Sequence, residues 1–594
     1  MKVVFLKLEH FRGIETAELQ FDGHALLVGA NNVGKSTLCE ALDLVLGPDR
    51  LSRFPPVEEF DFYDGKYLQP PTEEGGEPIP IPFRIEVVLT DLSAEIQKRC
   101  ATHLEFWHLV QKRLLGQAEV LTATPGTAVP CLRLETVGKY DPEEDEFTAK
   151  TFYFHSPNAT EGEKDEVRRE VKRLFGFLYL RALRTGSRAL SLERGSLLDV
   201  LLRLQKVRTG LWEKSIARLK GLDIENDAPE LAAVLTSIEE RLSQYVPSGK
   251  TGRATKLHVS QLTREHLRKT MAFFLAMRDD QEVVPFQQAG TGTLNTLVLA
   301  LMSFIAELKP DSVIFAMEEP EIALPPHTQR RIADYLLLKT NQAFVTSHSP
   351  YIIERFAPEQ TLLLTRTTPG RIEATCVATA TGLKENDYKR YARRGLAECI
   401  LGRGVLMVEG VTEAHALPVL ARCLESLDPK LMPLDIAGVS ILDTEGDGMI
   451  PKFGKFFRTL GLRTFGFYDH KQRTPAQLAE LAAVLDENLE HPYKTFELLL
   501  STEVPVTRLR HFLNGLITAG IDPKYGVAHP LPAGDADICK LVLSVLSSTK
   551  GAGWAAQLLE QCEPHEFPKT VVDFLHRIYT YYPLPVPILP AVTP

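Results

Sequence analysis

The chain has 594 residues, enough for roughly three to five domains of about 150 residues each. Apolar residues make up 44% and charged residues 24%, which excludes global disorder, a collagen-like repeat and a low-complexity fibre. The net charge of −10 excludes a globally basic nucleic-acid binder, though not a local basic groove, because binding depends on where the charge sits.

Cysteines stand at 39, 100, 131, 376, 399, 423, 539 and 562 with no CxxC pair, so neither a disulfide framework nor a zinc site is expected, and a reducing compartment is. The N-terminal MKVVFLKLEHF lacks the apolar region and cleavage site of a secretory leader. No stretch approaches 18 uninterrupted apolar residues. The expectation is a cytoplasmic protein without a membrane partner.

In chain order, residues 2–7 and 25–28 predict short strands around a turn containing Gly13 and Gly23. A glycine-bearing loop follows Val28 and opens an apolar-periodic helix from Thr37 to Leu46. Residues 65–80, rich in Pro, Gly and Glu, read as a surface loop, 81–90 as a strand, and the polar, acidic 138–165 again as a loop. From about 186 to 270 the pattern is helical, with Leu197, Leu198, Val200, Leu201, Leu202 and Leu204 followed by Leu231, Leu235, Ile238 and Leu242; 247–255 reads as an exposed connection. Strand signals return at 311–317 and 342–346, and a new α/β pattern begins after about 380, with strands at 404–408 and 463–468. There is no internal repeat.

Gly29-Ala30-Asn31-Asn32-Val33-Gly34-Lys35-Ser36 matches G-x-x-x-x-G-K-[ST] and lies between a strand and a helix, as its mechanism requires. The glycines, with Asn31 and Asn32, let backbone N–H groups approach phosphate oxygens, and the helix N-terminus opening at Ser36 and Thr37 favours negative charge. Lys35 is placed to reach the β- and γ-phosphates, and Ser36 to offer its hydroxyl to Mg²⁺. Far downstream, Val313 to Met317 is an apolar strand that runs into Glu318-Glu319-Pro320, placing one acid near the metal and the next near an attacking water. Phe344-Val345-Thr346-Ser347-His348 then sets a histidine just past another strand. Each feature alone has a bland reading; order and spacing raise them together.

This set resembles the ABC-type ATPase head of the SMC-like superfamily. The resemblance implies a signature loop before the acidic strand, and Gln287 to Asn295, with Gly290, Thr291 and Gly292, occupies that place ahead of an apolar helix from Leu297 to Leu308. An ordinary helix N-cap is the alternative reading. It also implies two heads sandwiching two ATPs, hence a homodimer. Glu318 stands where the family has Asp, which leaves the hydrolysis rate open. The 283 residues between Lys35 and Glu318 (318 − 35) leave room for a helical insertion at 186–265, too short and irregular for a long coiled coil, and read as a dimerisation module.

A second chemical region starts at Val405. The strand Val405 to Val408 leads into Glu409-Gly410-Val411-Thr412-Glu413, with Glu409 at a strand end and Glu413 in the first turn of a helix, so both carboxylates can face one point. Phe465 to Tyr468 is another apolar strand, ending in Asp469. Acids at neighbouring strand tips are how α/β folds gather Mg²⁺ for phosphodiester chemistry. The pattern resembles the Toprim fold of topoisomerases, primases and some nucleases, with Asp469-His470-Lys471 in place of its Asp-x-Asp. Asp443, Glu445 and Asp447 either supply the missing ligand or cap a turn, and Asp535 and Asp537 look mainly like an N-cap. Lys550, before a glycine turn, either stabilises a phosphate or is a solvated lysine.

An SMC-like head followed by a Toprim domain in one chain resembles the OLD (overcoming lysogenisation defect) family of nucleases. The details at Asp469 and Lys550 are similar to the subgroup often encoded beside a UvrD-like helicase, which includes the nuclease subunit of the Gabija anti-phage system. The resemblance implies an α/β chain divided into an ATPase head at 1–185 and 266–380, the helical insertion, and a Toprim domain with helical C-terminal elements at 381–594. It implies a homodimeric, ATP-regulated DNA endonuclease in phage defence, with a helicase as a further partner. Two Mg²⁺ or Mn²⁺ ions are expected on Glu409, Glu413 and Asp469, with Asp443 or Glu445 added, and Lys550 beside them. The run Lys389-Arg390-Tyr391-Ala392-Arg393-Arg394 is the DNA-contact candidate, or a solvated basic face. Two other readings stand: a DNA-repair ATPase whose Toprim-like domain binds DNA without cutting, and a nucleotide-sensing switch that controls a partner.

Overall fold

The structure is a computed structural model. It describes residues 1–52, 54–70, 78–157, 164–181, 191–192, 196–220, 229–243, 263–271, 274–275, 283–288, 290–308, 313–322, 324–548 and 550–584. The expected connection at 247–255 lies outside the described residues, as does most of the sequence between the helices Pro229–Ser243 and Arg264–Thr270.

A 13-stranded sheet organises the N-terminal two-thirds. Its first half is parallel, in the order Phe177–Leu180, Ile314–Glu318, Gln342–Thr346, Ala25–Val28 and Thr361–Thr368. These strands read as continuous apolar runs because both faces are covered; the first four residues after Gly176 and all of Ala25–Val28 show the pattern. The helix Lys35–Leu46 lies on one face, burying Leu38, Cys39, Leu42 and Val45. The other half begins with Arg371–Cys376, antiparallel to Thr361–Thr368 but parallel to Ile14–Gln20, and continues antiparallel through Lys2–Phe11, Phe83–Thr90 and Ala128–Asp141.

A second, four-stranded sheet is wholly parallel: Val439–Asp443, Gly404–Val408, Arg463–Tyr468 and Glu487–Glu490. Val408 stands level with both Asp443 and Phe467, so the chain leaves these strands at one shared edge. Helices Val411–Leu427 and Ile450–Thr459 connect the strands, and Phe496–Glu503, Val506–Thr518, Asp535–Ser548 and Lys569–Tyr579 follow.

The predicted strands at 342–346, 404–408 and 463–468 are found there, and the first strand runs on to Phe11. The predicted helix from Leu297 begins earlier, at Thr291, so Gly292 lies in its first turn. Residues 138–165 differ from expectation. Ala128–Asp141 and Glu146–Tyr153 form a hairpin there. Polar alternation hides it in the sequence, but each strand buries one side: Thr136 meets Thr151 at 2.8 Å, and Phe147 packs on Tyr67 and Tyr140.

One buried cluster runs from the large sheet into the second sheet. It joins Val28, Met317, Ile353 and Phe356 with Tyr388, Tyr391, Ile400, Met407, Phe453 and Phe457. Tyr391 meets Phe453 edge-on, ring centroids 5.0 Å apart. The segment between the two sheets includes a π turn, Ala392–Leu396, with Gly395 at a φ of 106°. Truncating Phe453, fully buried in this cluster, is expected to cost about 3–5 kcal/mol. Urea denaturation of Phe453→Ala followed by circular dichroism should show that loss; an unchanged midpoint would mean that the shared cluster does not hold the lobes together.

Candidate functional site

The phosphate-binding loop leaves the strand Ala25–Val28 at the carboxyl edge of the large sheet. Gly29 and Gly34 have φ of 146° and 111°, which only glycine adopts without strain. A Cβ on Gly29 would stand 2.6 Å from the Leu364 carbonyl oxygen. Lys35, buried, donates to the carbonyls of Gly29 and Ala30 at 2.8 and 2.9 Å, and burial lowers its ammonium to about 8 against the pull of Glu319 and Glu321. Arg366 holds the loop from outside, donating to the carbonyl of Asn32 at 3.4 Å.

Two strands away, Glu318 ends its strand buried and accepts a short hydrogen bond from the hydroxyl of Tyr179. Glu319 takes a φ of 43°, and its N–H donates to the Thr346 carbonyl at 2.9 Å. Glu321 accepts from the Ser347 hydroxyl at 2.8 Å and the His348 N–H at 2.7 Å; its other oxygen is buried without a hydrogen-bond partner. Burial, then the neighbouring Lys35 charge, lowers the His348 pKa. Lys35, Glu319 and His348 thus share one electrostatic environment. Gly290 and Gly292 are placed before and within the first turn of the helix Thr291–Leu308; the side chain of Thr291 is outside the described residues.

At the edge of the second sheet, Glu409 follows Val408 and Asp469 follows Tyr468, and the Asp469 N–H donates to Glu409 Oε2 at 3.2 Å. Glu413, one helical turn past Gly410, is buried. Burial first, and then the carboxylates of Asp469, Glu497 and Glu409, push its pKa up to about 8 against the help of its own backbone N–H. The structure therefore brings Glu409, Glu413 and Asp469 into one neighbourhood, as the sequence predicts, and adds Glu497. Glu497 is buried, accepts from the Thr412 hydroxyl at 2.9 Å and stands 3.7 Å from the ammonium of Lys550.

The expected ligand set is nevertheless not assembled: among the described residues no group of three or more His, Cys, Asp or Glu side chains is arranged to hold a metal ion. Each acid has been drawn elsewhere. Lys471 pairs with Glu409 and, at 3.0 Å, with Asp447. The fully buried His491 holds Asp469 Oδ1 at 2.9 Å. Arg390 pairs with Glu445, while Asp443 Oδ1 accepts from the Glu445 N–H at 2.8 Å, a turn-capping geometry. Arg473 spans the Asp469 carbonyl, Asp447 and Glu490 at 3.0, 2.9 and 2.8 Å. The helix starts at Asp535, earlier than the expected Ile538, so Asp535 and Asp537 lie within its first turn, where they pair with Arg510 and Lys540.

Arg473, His491, Glu490 and Glu497 carry no motif that singles them out, and Lys471 is marked in the sequence only as standing where the second Asp of Asp-x-Asp would be. His491 follows the last strand of the parallel sheet directly, as Glu409 and Asp469 follow theirs, and that repeated position was the one available signal. Of the basic run, Lys389 pairs with Glu385 one turn away, and Tyr391 and Ala392 are core residues, which leaves Arg393 exposed. No helix among the described residues is long and apolar enough to cross a membrane.

Residues 1–106 and 203–353 match the AAA ATPase domain family, and residues 400–470 match the TOPRIM domain of the overcoming lysogenization defect protein-like family. The chain thus pairs an ATPase head with a C-terminal TOPRIM domain, and the mixed α/β fold fits that pairing. The Old nuclease of Escherichia phage P2 is 20% identical over 260 residues, 40% of this chain. The chain matches 42% of that relative's length. A solved structure, the SmcHead bound to the C-winged helix domain of ScpA, aligns with 63% of this chain and 98% of its own at 10% identity and a TM-score of 0.34.

A carboxyl with a raised pKa keeps in the fold a proton that the unfolded chain has released. The stability due to Glu413 is therefore present below its unfolded value near 4.5 and is lost as pH rises to about 8. In EDTA, Glu413→Gln should be more stable than the unsubstituted chain at pH 8.5, with the gap closing toward pH 4.5. Thermal denaturation across that range checks this; parallel curves would mean that Glu413 is solvated.

Proposed function

We propose that the chain is an ATP-regulated, divalent-metal-dependent DNA endonuclease that works as a homodimer in anti-phage defence, in the line of the OLD nucleases. One observation carries the reading: the Asp469 N–H donates to Glu409 at the carboxyl edge of the second parallel sheet, the buried Glu413 carboxyl is electrostatically coupled to both, and that sheet shares a continuous buried core with the large one. In open α/β sheets that edge is where ligands bind.

The donor set suits a hard divalent cation. It consists of carboxylates, and Glu413 is buried among like charges, a state that a cation relieves. Such an ion polarises a phosphodiester and lowers the pKa of its water. The side chains do the rest. Glu409, Glu413 and Asp469 would hold the ion, and His491 fixes the orientation of Asp469. Lys550, exposed beside Glu497, meets a phosphate oxygen. Arg393 and Lys389 contact the DNA backbone beyond it. In the head, Lys35 and Ser36 take the ATP phosphates, Glu318 serves the metal from beside Tyr179, Glu319 orients the water and His348 senses the γ-phosphate. Gly290, Thr291 and Gly292 close the site from a second copy. A helicase encoded beside the gene is the further partner.

A plasmid-nicking assay with Mg²⁺ and Mn²⁺ tests the reading. Glu409→Ala should remove cutting and leave ATP binding intact. Cutting retained by Glu409→Ala overturns the metal assignment, and absence of cutting by the unsubstituted chain favours a TOPRIM domain that binds DNA without cleaving it. In the head, Glu319→Gln should slow ATP turnover by roughly 10² without loss of nucleotide binding; unchanged turnover would place the water-orienting group elsewhere.

A further inference from the structure

The acidic strand end and the histidine loop of the head run side by side. Glu318 stands level with Thr346, and past that pair the Glu319 N–H donates to the Thr346 carbonyl at 2.9 Å. Glu319, at a φ of 43°, opens a turn that the Ile322 N–H closes on the Glu319 carbonyl at 3.2 Å. Glu321, within that turn, reaches back to the other loop. One of its oxygens accepts from the Ser347 hydroxyl at 2.8 Å and from the His348 N–H at 2.7 Å. The fully buried Ser347 hydroxyl in turn accepts from the Ser349 N–H at 3.0 Å. Gln329 adds a second tie, donating to the Leu324 carbonyl at 2.7 Å and accepting from the Ser349 hydroxyl at 2.5 Å.

We infer that Glu321 is a positioning residue of the nucleotide site, fixing the backbone at Ser347 and His348 so that the imidazole of His348 is aimed at the γ-phosphate. The inference rests on the reading of His348 as the γ-phosphate sensor and deepens it. Two features set Glu321 apart from an acid that merely caps a turn. Its side chain takes the N–H of the histidine itself, whereas Gln329 holds Ser349 on the far side. Its second oxygen is buried without a hydrogen-bond partner, a costly state for a carboxyl. Burial raises its pKa against the hydrogen bonds from His348 and Ser347, and the Glu319 charge adds to the rise. Carboxyls kept in so unfavourable a setting gather at functional sites, and the field of Glu321 reaches Lys35 of the phosphate loop. The partnered oxygen is committed to the loop, so Glu321 acts through His348 and not on the nucleotide.

The test measures the affinity of the full-length chain for ATP and for ADP in Mg²⁺, by fluorescence titration with labelled nucleotides, and compares the two as a ratio. His348→Ala should lower the preference for ATP by about tenfold, the loss of one hydrogen bond to a charged group. Glu321→Asp keeps the charge but is one methylene short of both donors, and should lower the preference by a similar factor. Ser347→Ala removes one of the two donors and should lower it by roughly threefold. Glu321→Gln keeps an acceptor oxygen at the original reach and should restore the ratio to within about twofold. Glu321→Asp combined with His348→Ala should lose no more than either alone, because both act through one imidazole. An unchanged ratio in folded Glu321→Asp and Ser347→Ala, a loss in Glu321→Gln as deep as in His348→Ala, or additive losses in the double variant overturns the inference and leaves the sensor reading standing. A ratio unchanged in His348→Ala overturns that reading, and the inference with it.

Discussion

Like charges gathered at one sheet edge set the terms for the C-terminal lobe. A parallel sheet ends all its strands on one side, so any acid placed just after a strand meets the others. Glu409, Asp469, Glu490 and, from the helices alongside, Glu413 and Glu497 arrive in this way. At a separation of 4 Å and an effective dielectric near 20, two such charges repel by about 4 kcal/mol. The chain answers with Lys471, Arg473 and His491 on three of the acids and with a raised proton affinity on Glu413. The strain of gathering these acids is thus concentrated at Glu413, the carboxyl whose charged neighbours are mainly other acids.

The same economy of edges appears in the head. The phosphate loop, Glu318 with Glu319, and His348 all follow parallel strands whose registers align Glu318 with Thr346 and Thr346 with Leu27. Two acid-bearing sheet edges thus sit on two sheets, and the buried cluster around Tyr391 and Phe453 joins the two sheets. Packed side chains transmit displacement because interiors resist compression. A nucleotide-dependent shift of the head has a route into the TOPRIM lobe that needs no flexible linker.

What the sequence disclosed followed from locality. The loop from Gly29 to Ser36 is contiguous, and its strand and helix flank it. Glu409, Glu413 and Asp469 were legible because each follows an apolar run that ends sharply. Glu497 was not, since it belongs to a helix and joins the site only through tertiary contact with Thr412. Lys471 read as a departure from a pattern, because a cation's meaning depends on which acids surround it, and Asp447 is 24 residues away in the chain (471 − 447). The hairpin at 128–153 was concealed for another reason: beyond Leu134 the inward positions include Thr136 and Thr151, which meet each other, so the apolar alternation that marks a strand stops short of 138.

The π turn at Ala392–Leu396 has a consequence for register. Such a turn carries an extra residue within a helix, and each residue of an α-helix advances its side chain by roughly 100° around the axis. Upstream of the turn, Tyr391 points into the shared core while Arg390 reaches Glu445; downstream, Leu396, Ala397 and Ile400 face the same core. The irregular winding is a phase shifter, letting a single continuous rod present its apolar side twice and still aim a guanidinium at the acidic loop of the neighbouring sheet.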